Sequence, residues 1–113
     1  MSSHRSAIIA SVIRQVVARK ALDIPPDIAD IVSITDVTLN ADVSIASVRV
    51  SALKGKAEAV SYLKKHNGEI RKELASMLKT YGIPQLRFEQ DDQVERIGRL
   101  EALLDETAKK NDK

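Results

Sequence analysis

Two hydrophobic periods divide the chain. From Ser6 to Leu22 the residues Ile8, Ile9, Val12, Ile13, Val16 and Val17 repeat at i, i+1, i+4 and i+5, the wide stripe of a helix that buries one side. Ser6 is placed to cap it, and Arg19 and Lys20 suit the negative end of its dipole. Asp23-Ile24-Pro25-Pro26-Asp27 stops it, because proline cannot donate to the helical ladder and restricts the residue before it. The period then changes to two. Ile31 to Leu39 is rich in Val, Ile and Thr, and its apolar positions change parity between Ile34 and Val37, which predicts a bulge near Asp36. After the turn residues Asn40-Ala41-Asp42, Val43 to Leu53 alternates. Ala46, Val48, Val50 and Ala52 share one face, and Ser47, Arg49 and Ser51 share the other. Two such runs predict an antiparallel hairpin with its apolar face against helices.

The period returns to helical from Lys56 to Lys79. Val60, Leu63, Ile70, Leu74, Met77 and Leu78 lie three, four or seven apart and fall within about a third of a helical circumference. Asn67-Gly68 interrupts the run with two poor helix formers, yet Leu63 and Ile70 keep their register across it. The pattern predicts two helices, or one bent helix, sharing a buried face across a kink at Gly68. Gly68 is expected to take a positive φ, and its alanine variant to be destabilised. Tyr81-Gly82 is the expected exit, with Pro84 just beyond.

Gln85 to Gln90 reads as a third strand with Leu86 and Phe88 inward and Arg87 and Glu89 outward. The helical crossover before it permits a parallel, right-handed return. Asp92-Gln93-Val94-Glu95 is a capping-box pattern opening a short helix to about Ala108, with Val94, Ile97, Leu100, Leu103 and Leu104 as its inner face. The expected architecture is an α+β sandwich: helix, two strands, a kinked helix pair, a third strand, a short C-terminal helix. Residues 1–108 form one expected domain and 109–113 a flexible tail.

Composition narrows the function classes. Only 3% of residues are aromatic, too few rings for a sheet that stacks bases. With no cysteine there is no disulfide, thiolate metal site or cysteine nucleophile, which fits a reducing compartment. The uncharged run Ser6–Ile13 stops at Arg14, far short of a membrane span, and no small-residue cleavage site follows. The expectation is a cytoplasmic protein with no membrane association. His4 and His66 are far apart without a second ligand at metal spacing. Asp23, Asp27, Asp30, Asp36 and Asp42 read as caps and turns rather than a calcium loop. No phosphate-cradling or nucleophile-elbow motif occurs, so neither catalysis nor a cofactor is expected.

Net charge is +2 but unevenly spread. Residues 43–88 carry nine Lys and Arg against three acids, +6, whereas 1–42 carry −1 and 89–113 carry −3. A concentrated positive block favours a polyanionic partner. On the helical wheel Lys64, Lys65, Arg71, Lys72 and Lys79 lie on a broad arc away from the apolar face. Glu58, Glu69 and Glu73 gather on a narrower arc beside it. A solvated face with no ligand is the plain alternative.

The order of elements, with these residues, resembles the ribosome-binding factor A family of bacterial small-subunit assembly factors. The resemblance rests on Asn67-Gly68-Glu69-Ile70-Arg71-Lys72-Glu73-Leu74, on Ile83-Pro84-Gln85-Leu86-Arg87-Phe88 with Asp91 after it, and on Thr35 to Asp42 leading into Ala46-Ser47-Val48-Arg49-Val50. It implies a type II KH-like fold with a three-stranded sheet. The family's Ala-x-Gly kink corresponds here to His66-Asn67-Gly68, which keeps the glycine and replaces the alanine. Its Asp-Pro-Arg after the first helix reads Asp23-Ile24-Pro25-Pro26.

By resemblance, the protein would bind the immature small ribosomal subunit and its precursor rRNA. It would assist late maturation, including 5′-end processing by other enzymes, and support growth in the cold. It would act as a monomer, with an assembly GTPase as a further partner the resemblance admits. The candidate RNA-binding set is Lys64, Lys65, Asn67, Gly68, Arg71, Lys72 and Lys79 on the helix pair, with Arg49 and Arg87 on the outward sheet face. Arg5 and Arg14 are outlying candidates. Each has a plainer reading: a solvated helix face for the lysines, a permitted bend for Gly68, protection against edge pairing for the strand arginines. An RNA-free protein–protein adaptor on the same scaffold is the alternative function.

Overall fold

The computed structural model describes residues 2–79 and 81–92. In chain order the elements are α1 (Ser2–Ala21), β1 (Asp30–Leu39), β2 (Ile45–Lys54), α2 (Lys56–Lys65), α3 (Asn67–Met77) and β3 (Gln85–Gln90). The helix expected to reach Ala108 and the tail at 109–113 lie outside the described residues.

β2 is the middle strand of a sheet ordered β1-β2-β3. It pairs antiparallel with β1, and the register shifts between Ile34 and Asp36, the expected bulge. It pairs parallel with β3, setting Ala46 beside Leu86 and Val48 beside Phe88. A parallel partner cannot be reached by a hairpin, so α2 and α3 are the crossover that makes β3 possible. The face carrying Ala46, Val48, Val50, Leu86 and Phe88 is buried against Ile9, Ile13, Val16 and Val17 of α1, Val60 and Leu63 of α2, and Ile70 and Leu74 of α3. This is an α+β fold with a mixed sheet, as the alternation and helical stripes require.

Several boundaries move. α1 starts at Ser2, so Ser6 lies within the helix and is not its cap. Arg5 in that first turn donates to the Tyr81 carbonyl at 2.8 Å and lies 5.7 Å over the Tyr81 ring, a tertiary anchor that local propensity does not register. β2 starts at Ile45 rather than Val43, because the turn is longer. Asn40 Oδ1 accepts from the Ile45 amide, Asp42 Oδ1 accepts from the Ser44 amide and hydroxyl, and Val43 turns back at φ 61. α3 ends at Met77, with Leu78 as its C-cap donating to the Leu74 carbonyl at 2.7 Å. Met77 is 44% exposed. Its sulfur faces Arg19 at 3.9 Å, so it does not belong to the buried stripe.

The break between α2 and α3 falls at His66, with φ −97 and ψ 16, and not at Gly68. The His66 ring stacks on Tyr62 with centroids 4.3 Å apart, and its Nδ1 lies 3.4 Å from Glu69 Oε1. Gly68 is within α3 and has no positive φ, and a Cβ there would meet nothing within 4 Å. The expected strain at Gly68 is therefore absent.

The backbone constraint lies instead at Gly55, the single residue between β2 and α2. Its φ is +77, and a Cβ there would lie 2.2 Å from the Ile28 carbonyl oxygen and 3.0 Å from the Ala29 Cα. The two glycines should thus respond oppositely to alanine. Gly55→Ala should lower stability by roughly 2 kcal/mol or more, combining a left-handed residue with a backbone collision. Gly68→Ala should raise it by up to about 1 kcal/mol, the helix-propensity gain at an open helical site. Urea midpoints of the two variants beside the parent check both signs; a destabilised Gly68→Ala would contradict a helical Gly68.

Candidate nucleic-acid interface

The acidic arc of the helix pair has a structural partner. Arg19 pairs with Glu73 at 2.7 Å. Lys20 pairs with Glu69, and lies 3.7 Å from Asp23. The last turn of α1 thus takes both carboxylates of α3. The hydrogen bond from Lys20, and then that from His66, holds the Glu69 carboxyl below its usual value. The same bond to Glu69 is the main cause holding the Lys20 ammonium above its usual value, against a smaller effect of burial.

The consequence is a separation of charge. Lys64, Lys65, Lys72 and Lys79 are exposed, and among the described residues none of them is in an ion pair. The two acids of α3 are turned toward α1, whereas Glu58 of α2 lines the same groove as Lys65. The adjacent lysines open on different concavities. Lys64 shares a cleft with Asn67, Leu86, Arg87, Phe88 and Glu89, whereas Lys65 lines a shallower groove with Ile28, Ala57 and Tyr62.

The other candidates divide. Arg71 is half-buried and donates to the Pro84 carbonyl at 2.8 Å, strapping α3 to the segment that enters β3. Arg49 and Arg87 project from the outward sheet face, Arg49 opposite Glu89 and Arg87 opposite Ser47. Arg14 reaches toward the Thr35 carbonyl at 3.4 Å, and Arg5 is engaged with Tyr81. Gly68 is exposed beside Asn67. The structure therefore brings Lys64, Asn67 and Arg87 together and ties Arg5 and Arg71 to the fold itself.

Asp91 was not among the candidate site residues, although strand parity would have turned it outward. It is 3% exposed, and the Thr35 hydroxyl donates to its carboxylate. Its amide donates to the Val50 carbonyl at 2.8 Å, and the Lys56 ammonium donates to its carbonyl at 2.9 Å. This latch joins the end of β3 to both hairpin strands and to the start of α2. Among the described residues no group of three His, Cys, Asp or Glu could hold a metal ion, and no helix is long and apolar enough to cross a membrane.

Among the described residues the fold and its exposed lysines define a class: α+β proteins with three helices on a three-stranded mixed sheet and lysines exposed on the helix pair. Residues 3–104 match the family model of ribosome-binding factor A, and the chain belongs to that family. A ribosome-binding factor A from Clostridioides difficile is 34% identical over 113 residues, covering 97% of this chain and 90% of that protein. One from Xanthomonas euvesicatoria is 41% identical over 75 residues, covering 65% of this chain. The match spans only 58% of that relative's length. The crystal structure of ribosome-binding factor A from Thermus thermophilus superposes with a TM-score of 0.64 at 20% identity, covering 75% of this chain and 93% of that one. A homology model of the Thermus thermophilus protein, fitted into a cryo-EM map of its 30S complex, superposes with a TM-score of 0.61 at 20% identity. It covers 71% of this chain and 88% of that one.

The α1–α3 ion pair gives the fold a defined pH dependence. Glu69 has a folded value below its usual 4.5. Its contribution to stability is therefore present above that value and lost as pH falls through the folded one. Lys20 behaves oppositely, contributing below its usual 10.5 and losing that contribution as pH rises through its higher folded value. Glu69→Gln should lower the thermal midpoint at neutral pH, with the gap to the parent closing in acid. Melting curves across the acid range check this; a constant gap would show that the pair is not what Glu69 contributes.

Proposed function

We propose that this protein is a ribosome biogenesis factor that seats its basic helix face on the RNA of the immature small ribosomal subunit. The observation that carries the reading is the set of exposed lysines, Lys64, Lys65, Lys72 and Lys79, which have no ion-pair partner among the described residues while Glu69 and Glu73 are held by α1. Membership of the ribosome-binding factor A family supports it, as does the relative fitted into a 30S complex. The lysines meet phosphates as point charges and give affinity without base reading. Specificity then comes from RNA shape and neighbouring proteins.

In this reading the protein acts in the cytoplasm, catalyses nothing, and holds a local RNA conformation until late maturation is complete. Processing of the precursor 5′ end is left to other enzymes. The element order α-β-β-α-α-β supports a type II KH-like arrangement. The groove that Ile28, Ala57 and Tyr62 share with Glu58 and Lys65 favours a protein contact as a second reading. Salt separates the two, since phosphate contacts weaken steeply with ionic strength and apolar contacts do not.

The test replaces Lys64, Lys65, Lys72 and Lys79 with Ala and leaves Arg71 alone, because its bond to Pro84 is structural. Thermal stability should hardly change, exposed charges contributing little to folding. Co-sedimentation with small subunits should fall strongly. The slope of log affinity against log salt should become shallower by about one unit per lost phosphate contact. Unchanged subunit binding by the folded quadruple variant would refute the assignment.

A further inference from the structure

Two large apolar side chains stand on the face of the sheet that α1, α2 and α3 do not cover. Ile31 is 68% exposed and Leu53 75%. The β1–β2 register sets Asp30 against Lys54 and Val32 against Ala52, so Ile31 and Leu53 lie opposite each other between those rows. Both have the parity opposite to the buried Ile34 and Val50. Ile31 also holds a φ of 49. A β-branched residue is strained there, and its amide is fixed by donating to Asp30 Oδ1 at 3.0 Å. Strain that holds an isoleucine out toward solvent is of the kind found where a side chain serves a contact.

The chain leaves the sheet beside this pair. Val50 is paired with Gln90, so Asp92 is level with Ala52 on the neighbouring strand. That exit is pinned. The Asp91 amide donates to the Val50 carbonyl at 2.8 Å, and the Lys56 ammonium donates to the Asp91 carbonyl and lies 3.6 Å from Asp92 Oδ1. From there β2, with Leu53, is one strand spacing away, roughly 5 Å, and β1, with Ile31, is two. The sequence after this exit carries the capping-box pattern and the stripe Val94, Ile97, Leu100, Leu103 and Leu104, which calls for an apolar partner. A helix from Val94 to Leu104 would be about 15 Å long, enough to cross three strands. The inward face is already filled, with Val48 and Val50 fully buried. A segment tethered this close acts at an effective concentration on the order of millimolar, which favours it over a second copy. We propose that residues 93–104 cross back over the outward face as a helix and pack this stripe on Leu53 and Ile31. The lysines of α2 and α3 lie on the other side of the sheet and stay open, so the inference stands apart from the ribosomal reading.

The test is amide hydrogen exchange on the intact protein, read by mass spectrometry. A lone helix of this length is marginal in water, so protection of its amides reports packing. The amides of residues 97–104 should exchange at least about tenfold more slowly than in a free peptide of the same sequence. With Ile31→Ser and Leu53→Ser together they should return to the free-peptide rate, while α1 and β2 keep their protection. Ile97→Ser with Leu100→Ser removes the contact from the other side and serves if the first variant does not fold. In that protein the methyl resonances of Ile31 and Leu53 should move from their parent positions. Exchange of the parent segment at the free-peptide rate overturns the inference. So does protection that survives in the folded Ile31→Ser, Leu53→Ser protein, because the stripe then packs elsewhere. Protection that rises with protein concentration assigns the cover to a second copy and overturns it as well. Unmoved Ile31 and Leu53 methyls in the second variant do the same.

Discussion

The approach of Gly55 to the backbone of Ile28 and Ala29 sets the geometry of everything after it. A single left-handed residue turns the chain from β2 into α2 with no room for a side chain. The Ala59 amide then donates to the Gly55 carbonyl at 2.8 Å, so the first helical hydrogen bond forms directly on that turn. The direction of α2 follows, and with it the seating of Val60 and Leu63 over β2 and β3. Lys64, Asn67 and the entry to α3 are placed in turn by that seating. A glycine with no side chain thus aims the residues that line the cleft.

The two signs of charge on the helix pair are separated in space. The acids of α3 join it to α1, and the cations on the opposite arc remain free of that task. Had Glu69 paired instead with Lys72, the lysine of its own helix, an i, i+3 pair would have gained a few tenths of a kcal/mol. It would also have neutralised the outward face. The arrangement keeps the field positive where no other element of the described chain covers it. The Asp91 latch serves the fold in the same way, tying β3 to the hairpin from the far end of the sheet.

Long periodic signals were legible in the sequence, and single-residue events were not. The α1 stripe, the alternation of β2, the inward Leu86 and Phe88 and the bulge at Ile34–Asp36 all followed from period and parity. The break at His66 did not, because helix propensity points to the glycine, whereas the observed break accompanies a ring stacked on Tyr62 and set beside Glu69. Val43 at positive φ and the early end of α3 at Met77 likewise depend on turn and tertiary contacts. The exposure of the lysines could be read from the helical wheel. The tie of Arg71 to Pro84 and the burial of Asp91 could not, since both need β3 in position. The cleft joins residues 64 and 67 to residues 86–89, and no local pattern relates them.

The parallel pairing of β3 also orders the events of folding. The β1–β2 hairpin and the α2–α3 pair are built from contacts close in sequence, whereas β3 must close over the whole helical crossover before it gains a partner. Loop closure of that kind is the slow step in chains with distant pairings. A chain made from its N-terminus can therefore assemble the lysine face before Leu86, Arg87, Phe88 and Glu89 exist. One wall of the cleft is absent until synthesis has passed residue 89. The lysine face is thus available to an incomplete chain, and the cleft only to one that includes β3.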